Sequence, residues 1–362
     1  MTRWREPAPG EHEAGERSWE VVRGAYDARV PNPRAHNKRW LVVVAVGAAL
    51  AAAALSPPGH AVWGSLRDAV QKDHLVGLPA TGRVLVNAQD GAWVVSRDGS
   101  KRFLSGYSDA SWSPHGLFVA AARANQLVAM EPNGNVHWKL ARRGKIRAPR
   151  WSFDGYRIAY FAGPSLRVVN GDGTGDRLLA RKALRGSAAW MPRSHVVTYI
   201  DRGGTIVFAD VDRDRILRRF RPGDDVRELA WTPGRRLVAL GPHVLATFLS
   251  SGQGLRSFVL DGNLTAADAS PDGRRVAFVM IRAGRSEVAI AQTAAGNRVP
   301  VFSGSGRIDD VAWSPDGRWL LLNWASADQW LFVRVPGKKL VAVSNIGATY
   351  GPDATFAGWC CP

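Results

Sequence analysis

The phrase Trp-Ser-Pro-Asp-Gly, followed by an apolar run, governs what this chain can become. It stands complete at residues 313–317, with close variants beginning at Trp112 (WSPHG), Trp151 (WSFDG) and Ala269 (ASPDG). Aligning on the aromatic position adds Trp190, Trp231 and Trp359, at successive intervals of 39, 39, 41, 38, 44 and 46 residues. A repeat near 40 residues made of short strands is the period of a four-stranded propeller blade. Helical solenoids share that period, but they need amphipathic helices of about ten residues or more. None is found after about residue 80, where glycine and proline are spread evenly.

Within each unit a short strand such as IDDVAW leads to the tryptophan, and Pro-Asp-Gly supplies a tight turn. Proline presets φ, aspartate bonds back to the local backbone, and glycine accepts positive φ. Second, third and fourth strands follow, as in RWLLLNW, QWLFVRV and KKLVAVS. The recurring Trp112, Trp151, Trp190, Trp231, Trp313 and Trp359 are placed to wedge between adjacent sheets, each burying about 2–3 kcal/mol of apolar surface. Residues 81–106 hold only strands two, three and four, whereas ATFAGWCCP at the far end reads as a lone first strand. The expected fold is therefore all-β: a seven-bladed β-propeller of four-stranded blades over 81–362. The C-terminal strand closes it by pairing with the N-terminal three.

These motifs resemble the TolB-like, WD-repeat-like family of WSPDG propellers, over roughly residues 81–362. The resemblance implies a protein lying outside the cytoplasmic membrane that binds protein or peptide partners at its loop faces and channel. Three features depart from that family: an N-terminal membrane anchor with a tail, seven blades rather than six, and no separate N-terminal α/β domain.

Residues 40–55, WLVVVAVGAALAAAAL, carry no charge. Extended over 40–62, up to Trp63, the stretch is long enough to span a bilayer, with a tryptophan at each interface. Arg29, Arg34, Lys38 and Arg39 precede it, while Arg67 and Lys72 beyond it are balanced by Asp68 and Asp73. The positive-inside bias puts the N-terminus in the cytoplasm and the propeller outside. Expected domains are a cytoplasmic tail (1–39), a single-pass signal-anchor (40–62), a juxtamembrane linker (63–80) and the propeller. Cleavage near Ala61, giving a secreted propeller, is the competing reading. Against it stands a leader far longer than an ordinary charged n-region.

In the tail, Trp19, Val22, Tyr26 and Val30 make one apolar stripe on a helix. So short a helix is marginal alone. It fits a cytoplasmic regulator, a membrane surface or a plain polar leader.

Net charge is +17, from 48 Lys+Arg against 31 Asp+Glu. Such an excess suits anionic partners, and coding bias toward arginine produces it equally well. In a propeller, fourth-to-first-strand connections share a face with second-to-third-strand turns. That places Arg123, Arg142, Arg143, Lys145, Arg147, Arg181, Lys182 and Arg185 in an arc suited to phosphate, carboxylate or an acidic protein surface. Nucleic acid is not expected outside the membrane.

No G-x-S-x-G elbow and no H-x-x-x-H pair occurs, and the NGDGTGD and DVDRDR segments lack the full spacing of a calcium loop. No catalytic residue, cofactor or metal is expected. The two cysteines, Cys360 and Cys361, are adjacent, and a vicinal disulfide, an intermolecular bridge and no bond all remain open. Two functions follow. One is a non-enzymatic, membrane-anchored extracytoplasmic scaffold that binds a protein or anionic envelope ligand. The other is a transmembrane sensor whose tail helix engages a regulator, as anti-sigma factors do.

Overall fold

The computed structural model describes residues 70–72, 75, 77–294, 297–337 and 339–361. The expected tail with Trp19, Val22, Tyr26 and Val30, and the expected span 40–62, lie outside the described residues. Among the described residues, no helix is long and apolar enough to cross a membrane.

Seven antiparallel sheets follow one another along the chain, each blade running from an inner strand at the channel to an outer strand. Blade 1 combines Thr355–Cys360 with Arg83–Ala88, Gly91–Val95 and Lys101–Ser105, which is the predicted closure. In register, Val84 faces Trp359 and Asn87 faces Thr355. Blades 2 to 7 have inner strands Ser108–Trp112, Ile146–Trp151, Ala189–Trp190, Glu228–Trp231, Asn263–Ala269 and Asp310–Trp313. Second strands are buried almost throughout (Val196–Ile200, Leu237–Gly241 and Trp319–Trp324 have no exposed residue), whereas the outer strand Arg215–Phe220 is nearly all exposed.

The repeated turn is held by its serine, a residue whose role the spacing alone did not reveal. Ser314 is fully buried; its N–H donates to Trp319 O (2.9 Å), and its Oγ accepts the Trp319 N–H (2.9 Å). The same hydroxyl donates to Asp316 Oδ1 (2.6 Å), which also accepts the Arg318 N–H. Ser270 with Asp272, and Ser152 with Asp154, repeat this network. The turn glycine is required by conformation and by space. Gly273 has φ +68°, and a Cβ there would lie 2.7 Å from Gly234 N in the neighbouring blade's turn.

Several wedge indoles donate across a seam, whereas the buried Nε1 groups of Trp112 and Trp151 have no hydrogen-bond partner among the described residues. Trp190 Nε1 donates to Arg150 O of blade 3 (2.9 Å), Trp313 Nε1 to Asp268 O of blade 6 (3.1 Å), and Trp359 Nε1 to Thr81 O (3.1 Å). Cys360 and Cys361 are joined as a vicinal disulfide, beside the Pro114 carbonyl of blade 2.

One stretch differs from its expected role as linker. Val70–Lys72 pairs in parallel with Leu340–Ser344, adding a fifth strand to blade 7, with Val70 opposite Val341. Leu75, Leu78 and Ala80 join the core between blades 7 and 1. Three residues are too few for periodicity to register; what calls for the strand is the unpaired edge that it covers.

Replacing Trp313 by alanine should cost about 3–5 kcal/mol, as for other fully buried large side chains. Ser314→Ala, which strips the buried Trp319 N–H of an acceptor, should cost about 1–3 kcal/mol. Chemical unfolding measures both, and a change within error for either would show that turn and wedge do not hold the blade.

Candidate functional site

Two rims and a channel offer the ring's functional surfaces. The loop face carries the connections from each outer strand to the next inner strand, and backbone bonds tie these to the turns between second and third strands. Arg142 N donates to Asn125 O (2.9 Å), Ile146 N to Ala124 O (2.9 Å), Gly163 N to Lys145 O (3.0 Å) and Ala183 N to Pro164 O (3.2 Å). The connections at 142–145 and 181–187 therefore sit on one face across blades 2, 3 and 4, together with Arg123.

The predicted basic residues divide on this frame. Arg143, Lys145, Arg181, Lys182 and Arg185 are exposed. Arg123 is exposed and lies over the Tyr107 ring at 5.5 Å. Arg147 points to the channel acid Asp109, 3.8 Å away. Arg142 turns inward, its Nε donating to Asp176 Oδ2 at 2.6 Å. The Asp176 side chain is 3% exposed and also accepts from Arg167 (2.5 Å) and the Tyr160 hydroxyl (2.7 Å). Burial alone would raise the Asp176 pKa, but hydrogen bonds from Arg167, Tyr160 and Arg142 outweigh it and hold the carboxyl below its usual range. Burial, reinforced by this carboxylate, pushes the Tyr160 hydroxyl well above the ordinary phenol value. Arg142 thus belongs to an ionic cluster, and it leaves the arc that the sequence placed it in. Farther round the same face, blades 7 and 1 present Asp328, Asp353 and Asp90, so the loop face is basic on one side and acidic on the other.

The calcium-like segments are closed turns between third and fourth strands. Asp172 accepts the Thr174 N–H and hydroxyl, while Asp210 accepts two backbone N–H groups and pairs with Arg213. Among the described residues, no group of three or more His, Cys, Asp and Glu side chains is placed to hold a metal ion.

The channel carries an acidic set that sequence reasoning missed. Inner strands of all seven blades line a cavity of about 650 Å³ containing Asp109, Arg150, Glu228, Asp268, Asp309 and Asp310. Several of its carboxylates staple one blade to the next. Asp310 Oδ2 accepts the Phe356 N–H of blade 1 (2.6 Å), Asp268 Oδ2 the Trp313 N–H of blade 7 (2.8 Å), and Asp109 Oδ2 the Ala148 N–H of blade 3 (3.3 Å). Burial raises Asp310 to about 7, reinforced by repulsion from Asp268 and Glu228. Burial likewise raises Asp268 to about 6 against two backbone hydrogen bonds, and raises Glu228 despite Arg150. A signal did exist: Asp109, Glu228 and Asp310 each stand three residues before the wedge tryptophan, Arg150 stands one before Trp151, and Asp268 one before Ala269, which takes the wedge position in blade 6. Positions two apart share a strand face.

No family model matches the chain, and no curated protein matches it. Solved structures do. A hydrazine synthase chain of Kuenenia stuttgartiensis superposes with a TM-score of 0.51 at 17% identity, covering 62% of this chain and 75% of that one. A chain of the mitotic checkpoint complex gives 0.55 at 17% identity, covering 76% and 86%. At such identity the likeness defines a class alone. This is a seven-bladed β-propeller of four-stranded blades. The TolB-like resemblance extends no further than that class.

Asp310 and Asp268 hold protons in the native ring at pH values where the unfolded chain has released them. Their contribution to stability is full below the unfolded carboxyl range and is lost as pH rises through about 6 and about 7. Between about pH 5 and about pH 8 the wild-type melting temperature should carry a falling component that Asp310→Asn, which mimics the protonated carboxyl, reduces to the share of Asp268. An unchanged slope in calorimetry would refute the assignment.

Proposed function

We propose that the chain is a non-enzymatic binding module, anchored in a membrane by residues 40–62, with its propeller outside the cytoplasm. Its basic loop-face sector engages an acidic protein surface or another anionic envelope component. The observation that carries this reading is the group Arg143, Lys145, Arg181, Lys182 and Arg185. All are exposed on connections pinned by backbone hydrogen bonds, and among the described residues no ion pair engages them. The backbone that carries these cations loses little freedom on binding, and arginine offers bidentate contacts to carboxylate or phosphate. The uncharged run at 40–55, its flanking tryptophans and the preceding cations support the anchor.

Binding to immobilised polyglutamate tests the surface. Replacing Arg143, Lys145, Arg181 and Arg185 by serine should weaken it about tenfold or more, roughly 1.4 kcal/mol, with an unchanged melting temperature. Arg142→Ser should instead lower the melting temperature, because it strips the buried Asp176 carboxylate of a partner. Equal binding by the fourfold variant would defeat the proposal. Protease protection of sealed cells, with tags at residues 1 and 362, tests the topology. A protected N-terminal tag with an accessible C-terminal one is expected, and release of a shortened chain cut near Ala61 would replace the anchor with secretion.

A further inference from the structure

The face opposite the loops, formed by the first-to-second-strand and third-to-fourth-strand turns, carries a pattern that the binding proposal does not use. The residue just after the turn glycine is solvent-exposed in blades 2, 3, 5, 6 and 7. It is Leu117, Tyr156, Arg235, Arg274 and Arg318 in turn. One structural position is thus apolar on two neighbouring blades and cationic on two others, and in the shorter turn of blade 5 Arg235 stands at the positive-φ place that glycine takes elsewhere. Leu117 is 62% exposed and Tyr156 73%, with Phe153 beside them at 42%. The acids of the first-to-second-strand turns, Asp154, Asp272 and Asp316, bond to their own serines and to backbone N–H groups, and the exposed acids of the third-to-fourth-strand turns, Asp98, Asp172, Asp212 and Asp214, lie on blades 1, 3 and 4, outside the cationic sector of blades 5, 6 and 7.

An independent observation brings the incoming chain to this face. Val70–Lys72 runs parallel to Leu340–Ser344, a strand that begins where the 335–339 turn ends. The chain therefore enters Val70 at the turn-face end of blade 7, next to the cationic sector. Only six residues lie between Trp63 and Val70, a reach of at most about 25 Å over seven steps. We infer that the turn face rests on an anionic bilayer, with Arg235, Arg274 and Arg318 on lipid phosphates and Leu117, Phe153 and Tyr156 at the headgroup boundary. This rests on the anchored reading above. Cations near an anionic leaflet and apolar side chains at its interface are the two contributions that hold a peripheral surface. The arrangement turns the basic loop face outward, away from the host membrane.

The test uses the full chain in phosphatidylcholine vesicles with and without phosphatidylglycerol. A photoreactive phenylalanine analogue replaces Tyr156 or, on the loop face, Arg185. Lipid adducts should form from position 156 and not from position 185. They should rise several-fold with phosphatidylglycerol, fall with added salt, and fall again in an Arg235→Gln, Arg274→Gln, Arg318→Gln variant whose melting temperature matches wild type. Equal labelling at the two positions, or labelling indifferent to phosphatidylglycerol, would overturn the inference. Alkaline extraction scores the anchor separately. A chain that washes off yet labels lipid from position 156 keeps the face and refutes the anchor. A chain that stays embedded while both positions label alike keeps the anchor and refutes the face. A chain that washes off and labels nothing refutes both.

Discussion

Everything in this molecule depends on the pairing of Thr355–Cys360 with Arg83–Ala88. Blades contact only their neighbours, so an open ring would leave the apolar faces of its end blades and two strand edges in water. Closing blade 1 from both ends of the domain removes those edges. The seam is reinforced by the Trp359 indole on Thr81 O, by the Arg83 guanidinium on Gly116 O (2.6 Å), and by the same guanidinium over the Trp112 ring. Such closure links residues far apart in sequence, so its loop-entropy cost is compensated only once the other blades have stacked.

Closure also makes the ring a frame with two distinct rims. The loop rim is polarised, with exposed cations over blades 2 to 4 and carboxylates over blades 7 and 1. The turn rim is built from one repeated motif whose outermost position varies from leucine and tyrosine to arginine. Between the rims, channel carboxylates accept backbone N–H groups from the next blade, so their charge and the packing of the inner strands are coupled. Function in such a scaffold lies in what the rims present, since the fold itself is shared with proteins of unrelated role.

Much of the fold was legible because a propeller writes its period into the sequence. The Trp-Ser-Pro-Asp-Gly spacing gave blade number and turn position, and the incomplete units at either end of the domain gave the closing strand. The shared face of the 142–145 and 181–187 connections followed from topology. What escaped were facts of three-dimensional pairing. Arg142 reads as one more loop cation until Asp176, 34 positions away, is seen to receive it with Tyr160 and Arg167. The acidic channel escaped because single carboxylates on separate strands meet only when the ring closes. Val70–Lys72 escaped because three residues carry no period.

Native-state hydrogen exchange of the intact chain tests closure most directly. In a closed ring, amides of 355–360 that bond to 83–88 should exchange only through global unfolding, with the same protection as the buried strand Trp319–Trp324. Exchange of 355–360 at far lower free energy, while the other blades stay protected, would mean that the last strand is an appendage and the ring stands without it.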